Sequence, residues 1–167
     1  HQGGGYGGRS SGPATRPDQR VSDVWPDYLK GGYFDDQGNL RIEFVSRHVE
    51  GKENVGVESL VREMANGRPP LTTGQLRRFF QHCRGIESKL KSGEATWAQM
   101  RPSFEFLQAA AADAYGKQPR KIPDLFYDFI CRNVSAVKTD RDFLRGFLPH
   151  FEALVGYGSL YIQKERN

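Results

Sequence analysis

The sequence predicts an all-α fold, a small helical bundle of about five helices behind a disordered, Gly-rich N-terminal tail. Three observations carry this expectation. Apolar residues recur at three- and four-residue steps through most of residues 71–162. Thr and Pro at helix starts and Gly at helix ends punctuate that stretch at short intervals. Strand-like alternation is confined to one short region, residues 33–45. A chain of 167 residues suffices for one domain with its own core. Its expected divisions are a tail at 1–20, an N-terminal segment with short helices at 21–70, and the bundle core at 71–162.

The tail, HQGGGYGGRSSGPATRPDQR, holds six Gly and a single aromatic residue, too little apolar surface to offset its ordering entropy. Its GGGYGGR run has the flavour of Arg- and Tyr-containing tails that bind RNA loosely, but a plain flexible extension is the simpler reading. Beyond it, Pro26 opens a short helical turn that ends at Gly31 and Gly32. Residues 33–45 combine a turn-forming DDQGN with alternating Leu40, Ile42 and Phe44, which suits a β-hairpin. Asn54 is placed to cap a helix near 55–65 with Val57, Leu60, Val61 and Met64 on its apolar face. GRPP at 67–70 breaks the chain.

Thr72 or Thr73 then caps the first long helix, whose apolar face is Leu76, Phe79, Phe80, Cys83, Ile86 and Leu90. A second spans about 95–115, apolar at Trp97, Met100, Phe104, Phe106, Leu107, Ala110, Ala111 and Ala114. Pro102 either kinks it or marks a restart, and Gly116 ends it. A third follows Pro123 and buries Leu125, Phe126, Phe129, Ile130 and Val134. The last begins at Thr139, with Asp142 at the capping-box position. It lines its core side with Phe143, Leu144, Phe147, Leu148, Phe151, Leu154, Val155 and Tyr157, and Pro149 is expected to bend it.

Composition restricts the function. No apolar run approaches the length of a membrane span, and the glycine-rich beginning lacks the apolar core of a secretion signal, so a cytoplasmic protein is expected. Cys83 and Cys131 lie far apart without metal-ligand spacing, and buried free thiols are the expected state. His1, His48, His82 and His150 form no ligand pair or catalytic pairing, and no phosphate-binding glycine motif follows a strand. Asp35 with Asp36 reads as a turn, Asp140 with Asp142 as a helix start. No catalytic residue, metal site or cofactor is indicated.

The basic residues are more informative. Net charge is +4, composed of +2 over residues 1–20, −3 over 21–70 and +5 over 71–167. A basic C-terminal half favours a polyanionic partner, although a solvated Lys/Arg face would look the same. On a helical wheel Arg77, Arg84 and Lys91 form one stripe beside the buried face of the first long helix, with Glu87 between it and the core edge. Arg78, His82 and Lys89 form a second, looser group. The link at 116–123 carries Lys117, Arg120 and Lys121 and no acid. Spaced cations without a base-reading pattern suit phosphate contacts.

Three stretches also resemble a known family, the small subunit of the type III-A CRISPR effector ribonucleoprotein, the Csm complex. They are GYFDDQGNLR at 32–41, LTTGQLRRFF at 71–80 and FEALVGY at 151–157, in matching order and spacing; AYGK at 114–117 is similar to a shortened family helix end. The resemblance implies a small, all-helical, non-catalytic protein acting in antiviral defence. Copies would stack along the guide RNA beside other Csm complex subunits and touch guide RNA and target RNA with a basic surface. It also implies a loop leading into helix at 33–45, against the hairpin. The sequence departs from the family pattern at Gly74, where Ser is usual, and at Pro149.

Carried onto this chain, the resemblance marks Arg77 and Arg78 as RNA-binding, with Lys117 at a looser match. The charge arguments add Arg84, Lys91, Arg120, Lys121, Lys138 and Arg145. On this reading, reversing Arg77 and Arg84 to Glu lowers RNA binding and leaves thermal stability alone. Self-association in a stack or dimer is expected, and no membrane partner. The alternative is a helical adaptor that places its basic face on an acidic protein partner.

Overall fold

The computed structural model describes residues 18–162, so the expectation for the tail falls outside the described residues over 1–17. Six α-helices carry the architecture: α1 (Val21–Val24), α2 (Val57–Ala65), α3 (Thr73–Ser92), α4 (Trp97–Gly116), α5 (Asp124–Ala136) and α6 (Leu148–Gly158). A π-helical segment, Asp142–Phe147, runs directly into α6, and a short 3-10 turn covers Ile42–Phe44. Among the described residues there is no β-strand, and the all-α bundle holds.

The tail boundary shifts. The backbone N–H groups of Asp18 and Gln19 donate to the Asp124 carboxylate, and that of Val21 to Asp128 at 2.8 Å. The two acids sit in the first turns of α5, where carboxylates also oppose the helix dipole. Residues 18–20 thus belong to the bundle, and Val21 is fully buried.

The helical turn expected after Pro26 lies before it. Trp25 takes φ −129°, ψ 87°, outside the α region that a following Pro disfavours, and so ends α1. Asp27 and Leu29 are left-handed, at φ 64° and 60°, and residues 26–31 form turns.

The hairpin expected at 33–45 is not formed. The turn is where the sequence puts it: the Asp35 carboxylate accepts from the N–H groups of Gln37 and Asn39, both at 2.9 Å, and Gly38 is left-handed. Pairing stops at one bridge, Phe34 with Leu40, and the chain tightens into the 3-10 turn. A two-stranded ribbon is marginal without a further strand or a shared apolar face. Here Tyr33 and Phe44 turn into the helical core instead, and Ile42 is left 67% exposed. The loop leading into helix is the correct alternative.

Helix α2 buries the predicted Val57, Leu60, Val61 and Met64, but its cap is Gly56, not Asn54. At φ 140° a Cβ on Gly56 would lie 2.6 Å from the His48 backbone, which leaves glycine as the residue that fits.

Helix α3 starts as expected, with the Thr72 hydroxyl accepting from the Gln75 N–H, and ends on left-handed Gly93. Helix α4 opens on a reciprocal box between Thr96 and Gln99 and continues through the exposed Pro102. Its face buries Met100, Phe104, Leu107, Ala111 and Ala114. Phe106, expected in the core, points outward and is 61% exposed.

Thr139 caps the last helical stretch. Its hydroxyl accepts from the Asp142 N–H at 3.1 Å, and the Asp142 carboxylate accepts from the Lys138 and Thr139 N–H groups. Asp does the work of the usual Glu at this box. The disturbance expected from Pro149 takes the form of the π-helical widening that precedes it. There the helix is eased open where the proline ring would strike the carbonyl four residues back. Gly146, inside the widened turn, lies so close to Tyr33 that an added Cβ would sit 2.7 Å from the ring.

Phe104, Phe126, Phe129, Phe143, Phe147 and Phe151 are all fully buried and form the centre of the bundle. Edge-to-face pairs such as Phe147 with Phe151, at 5.4 Å and 88°, interlock α4, α5 and α6 there. Residues 21–70 join the same core through Trp25, Tyr28, Tyr33, Phe44 and the α2 face. Helix α4 packs chiefly on α5, α6 on α2, and α3 lies against both α4 and α6.

Candidate nucleic-acid interface

Because α3 is flanked by α4 on one side and α6 on the other, its two cationic groups are separated by the core face and meet different neighbours. On the α6 border Arg84 donates to Glu87 of its own helix and to Glu152 of α6, both at 2.8 Å, and its guanidinium lies 4.9 Å from the Phe80 ring. Lys91 reaches Glu87 at 3.1 Å. Burial pushes the Glu87 carboxyl up, but hydrogen bonds from Arg84 and Lys91 outweigh it and hold the group below the ordinary carboxylate range. Two cations of the expected Arg77, Arg84 and Lys91 stripe are therefore paired with carboxylates within the molecule. A carboxylate from a distant helix, invisible on a single-helix wheel, closes the cluster. Arg77 alone of the three is exposed with no carboxylate at ion-pair distance among the described residues.

The α4 border differs. Arg78 and His82 of α3 face α4 across an open groove of about 820 Å³, whose far end is bounded by Lys117 and Lys121. The His82 Nε2–H donates to the Ser103 carbonyl at 2.7 Å, which fixes the ring on the groove wall. The Lys121 N–H donates to the Ala114 carbonyl at 2.9 Å and folds the link back over the end of α4. Between these walls the floor is apolar, with Leu107, Ala110 and the outward-turned Phe106. Arg78 and Lys121 are exposed and make no ion pair among the described residues. Lys117 holds Asp113 at 3.2 Å, a mutually exposed pair that water and salt compete with readily.

The other predicted cations are dispersed. Arg120 is engaged by its own fold: it donates to the Tyr115 carbonyl, pairs with Asp124 at 3.3 Å and lies 3.8 Å from the Tyr115 ring, which itself stacks on Tyr127 at 4.5 Å. Lys138 and Arg145 are exposed at the start of the final helical stretch and line no part of the groove. The structure thus gathers Arg78, Lys117 and Lys121 around one groove and leaves the rest apart.

Phe106 and His82 are the groove residues that sequence reasoning left out of its candidates. A signal for Phe106 existed: it stands two residues from the buried Phe104, about 200° around the helix, and so on the opposite face. His82 was legible only as a neighbour of Arg78 on the wheel, because its partner Ser103 belongs to another helix.

Among the described residues no group of His, Cys, Asp and Glu is placed to hold a metal ion, and no helix is long and apolar enough to cross a membrane. Cys83 is buried, which pushes its thiol up to about 12 and keeps it protonated, whereas Cys131 is only half-buried.

No curated protein and no solved structure matches the chain. The family model described as Csm2 Type III-A matches residues 56–164, about two thirds of the chain and nearly all of the bundle. That span contains α2 through α6 with every cation of the groove, and the chain accordingly belongs to the Csm2 family, the small structural subunit of the type III-A CRISPR effector (Csm) complex.

Proposed function

We propose that this subunit is a non-catalytic RNA scaffold of the Csm complex, contacting guide RNA and target RNA through phosphate-directed cations on its surface. The observation that carries the reading is the set of exposed, uncompensated cations: Arg77, Arg78, Lys121, Lys138 and Arg145, with Lys117 held only by an exposed pair. Contacts of this kind position a protein on a nucleic-acid backbone without reading its bases. Arg84, Lys91 and Arg120 contribute chiefly to the subunit's own fold. The opposite signs of the two halves, −3 over 21–70 and +5 over 71–167, suit head-to-tail self-association along a filament. Family membership supports a cytoplasmic location alongside the other Csm subunits.

The test is charge reversal at the groove. Arg78→Glu combined with Lys121→Glu lowers RNA affinity in a low-salt gel shift, at least tenfold, with an unchanged melting temperature; unchanged affinity overturns the reading. Partners co-purified with the intact protein should be lost after nuclease digestion. Partners that survive it would favour a helical adaptor with an acidic protein bound to this face.

A further inference from the structure

The groove between α3 and α4 has a second property that phosphate binding leaves unused, a flat aromatic surface in its floor. Phe106 is the largest apolar side chain that α4 exposes, at 61%. It is not a frayed end: the helix runs ten residues beyond it, to Gly116. The apolar floor beside it is built from the recessed Leu107 and the small Ala110, and the ring itself is left largely exposed. Cations stand on both sides, Arg78 on one wall and Lys117 and Lys121 at the end of the other, against the one carboxylate of Asp113, which Lys117 already holds.

We propose that this groove receives an unpaired nucleobase of a single-stranded RNA segment, stacked on Phe106, while Arg78 and Lys121 hold the phosphates on either side. The inference rests on the RNA reading above and deepens it, from contact with any backbone to preference for an unstacked strand. Charge decides the occupant. A rim of two unpaired cations, Arg78 and Lys121, beside the Lys117–Asp113 pair asks for a polyanion, and an apolar floor asks for an uncharged flat face on the same molecule; single-stranded nucleic acid carries both. An amphipathic protein helix would be held by several large exposed apolar side chains in a row, and here Phe106 alone of the large apolar lining residues is exposed, Phe79 and Leu107 being buried. A duplex buries its base faces in its own stack and has nothing to lay on Phe106.

The test uses the full chain and two probes of equal length and charge, a short oligoadenylate and the same backbone with abasic spacers in place of the bases. Phe106→Ala should weaken oligoadenylate binding by about fivefold or more, the range of one lost base stack. It should leave abasic binding unchanged, and Phe106→Trp should restore the loss. Because Phe106 is exposed, circular dichroism melts of both variants should match the parent, which separates a lost contact from a lost fold. Equal oligoadenylate affinity for parent and Phe106→Ala, with Lys121→Glu weakening both probes, overturns the stacking inference and leaves phosphate binding standing. Failure of the parent to bind either probe overturns both readings. Intact RNA binding by Phe106→Ala together with lost capture of other Csm subunits overturns the inference in favour of a protein seated in the groove.

Discussion

His150 shows how much a single side chain decides here. It is fully buried on α6, its Nδ1 lies 2.7 Å from the Phe44 carbonyl and its Nε2 lies 2.6 Å from the Tyr28 hydroxyl. A carbonyl only accepts, so Nδ1 carries the proton and Nε2 accepts from Tyr28. Tyr28 in turn accepts from the Asn133 amide N–H at 2.9 Å, and the Asn133 oxygen accepts from Tyr33 at 2.7 Å. This chain of bonds satisfies four buried polar side chains and ties the N-terminal segment to α5 and α6. Burial lowers the His150 pKa from 6.5 to about 4, the carbonyl of Phe44 offsetting only part of that effect. A base with a depressed folded pKa leaves the unfolded chain holding more protons between the two values. Stability is therefore fully present above pH 6.5 and falls as the pH drops toward 4, by ~3 kcal/mol if this group acts alone. Urea denaturation across that window measures it. A flat profile would show that the ring is not kept neutral by the fold. His150→Ala should cost more at pH 7 than an ordinary surface change, about 2–4 kcal/mol, because the Phe44 carbonyl and the Tyr28 hydroxyl lose partners inside the core.

At the scale of elements, α3 is the instructive case. Its apolar face was legible from spacing alone: Leu76, Phe79, Cys83 and Ile86 are buried as the periodicity requires, and Thr72 and Gly93 mark its ends. Its polar sides were not legible in the same way. A wheel records which side chains share a flank and says nothing about what the neighbouring helix brings to it. Glu152 lies 68 residues from Arg84 in the chain and 2.8 Å from it in space. Arg77 and Arg84, equivalent in the sequence, should therefore respond differently to the same substitution. Arg77→Glu should leave the melting temperature within error. Arg84→Glu sets a third carboxylate beside Glu87 and Glu152 and removes the cation over Phe80. It should lower stability by about 1 kcal/mol, a modest figure because the pair is partly open to water. Parallel thermal melts decide between them; equal shifts would mean that the α3–α6 ion cluster contributes nothing.

For the molecule as a whole, the useful distinction is between cations the fold consumes and cations it leaves free. Arg84, Lys91 and Arg120 are held by carboxylates, aromatic rings or both, whereas Arg78 and Lys121 reach solvent with no such partner among the described residues. Each phosphate contact releases counterions, so salt dependence reports which cations touch RNA. Lys121→Ala should shallow the slope of log affinity against log salt by about 0.7–1, regardless of RNA sequence, and Arg120→Ala should leave the slope where it was. Fluorescence anisotropy over a salt series makes the comparison, and a slope change at Arg120 instead would reverse the assignment.

Sequence by itself determined the all-α class, the position of every long helix, the starts at Thr72, Pro123 and Thr139 and the apolar faces that build the core, because these follow from local periodicity and from backbone groups that need partners close in the chain. It also placed the turn at residues 35–39 through Asp35 and Gly38, though not the fate of the flanking residues, which had no third strand to join and gave their aromatic rings to the helices instead. Only the tertiary structure decided which charges remain free, that a groove bordered by α3 lies beside Phe106, and that Pro149 is absorbed by a π-helical turn. The physical reason is common to all three. Helical spacing is a property of neighbours in sequence, whereas charge compensation, exposure and the room for a widened turn depend on atoms that folding brings from a distant helix.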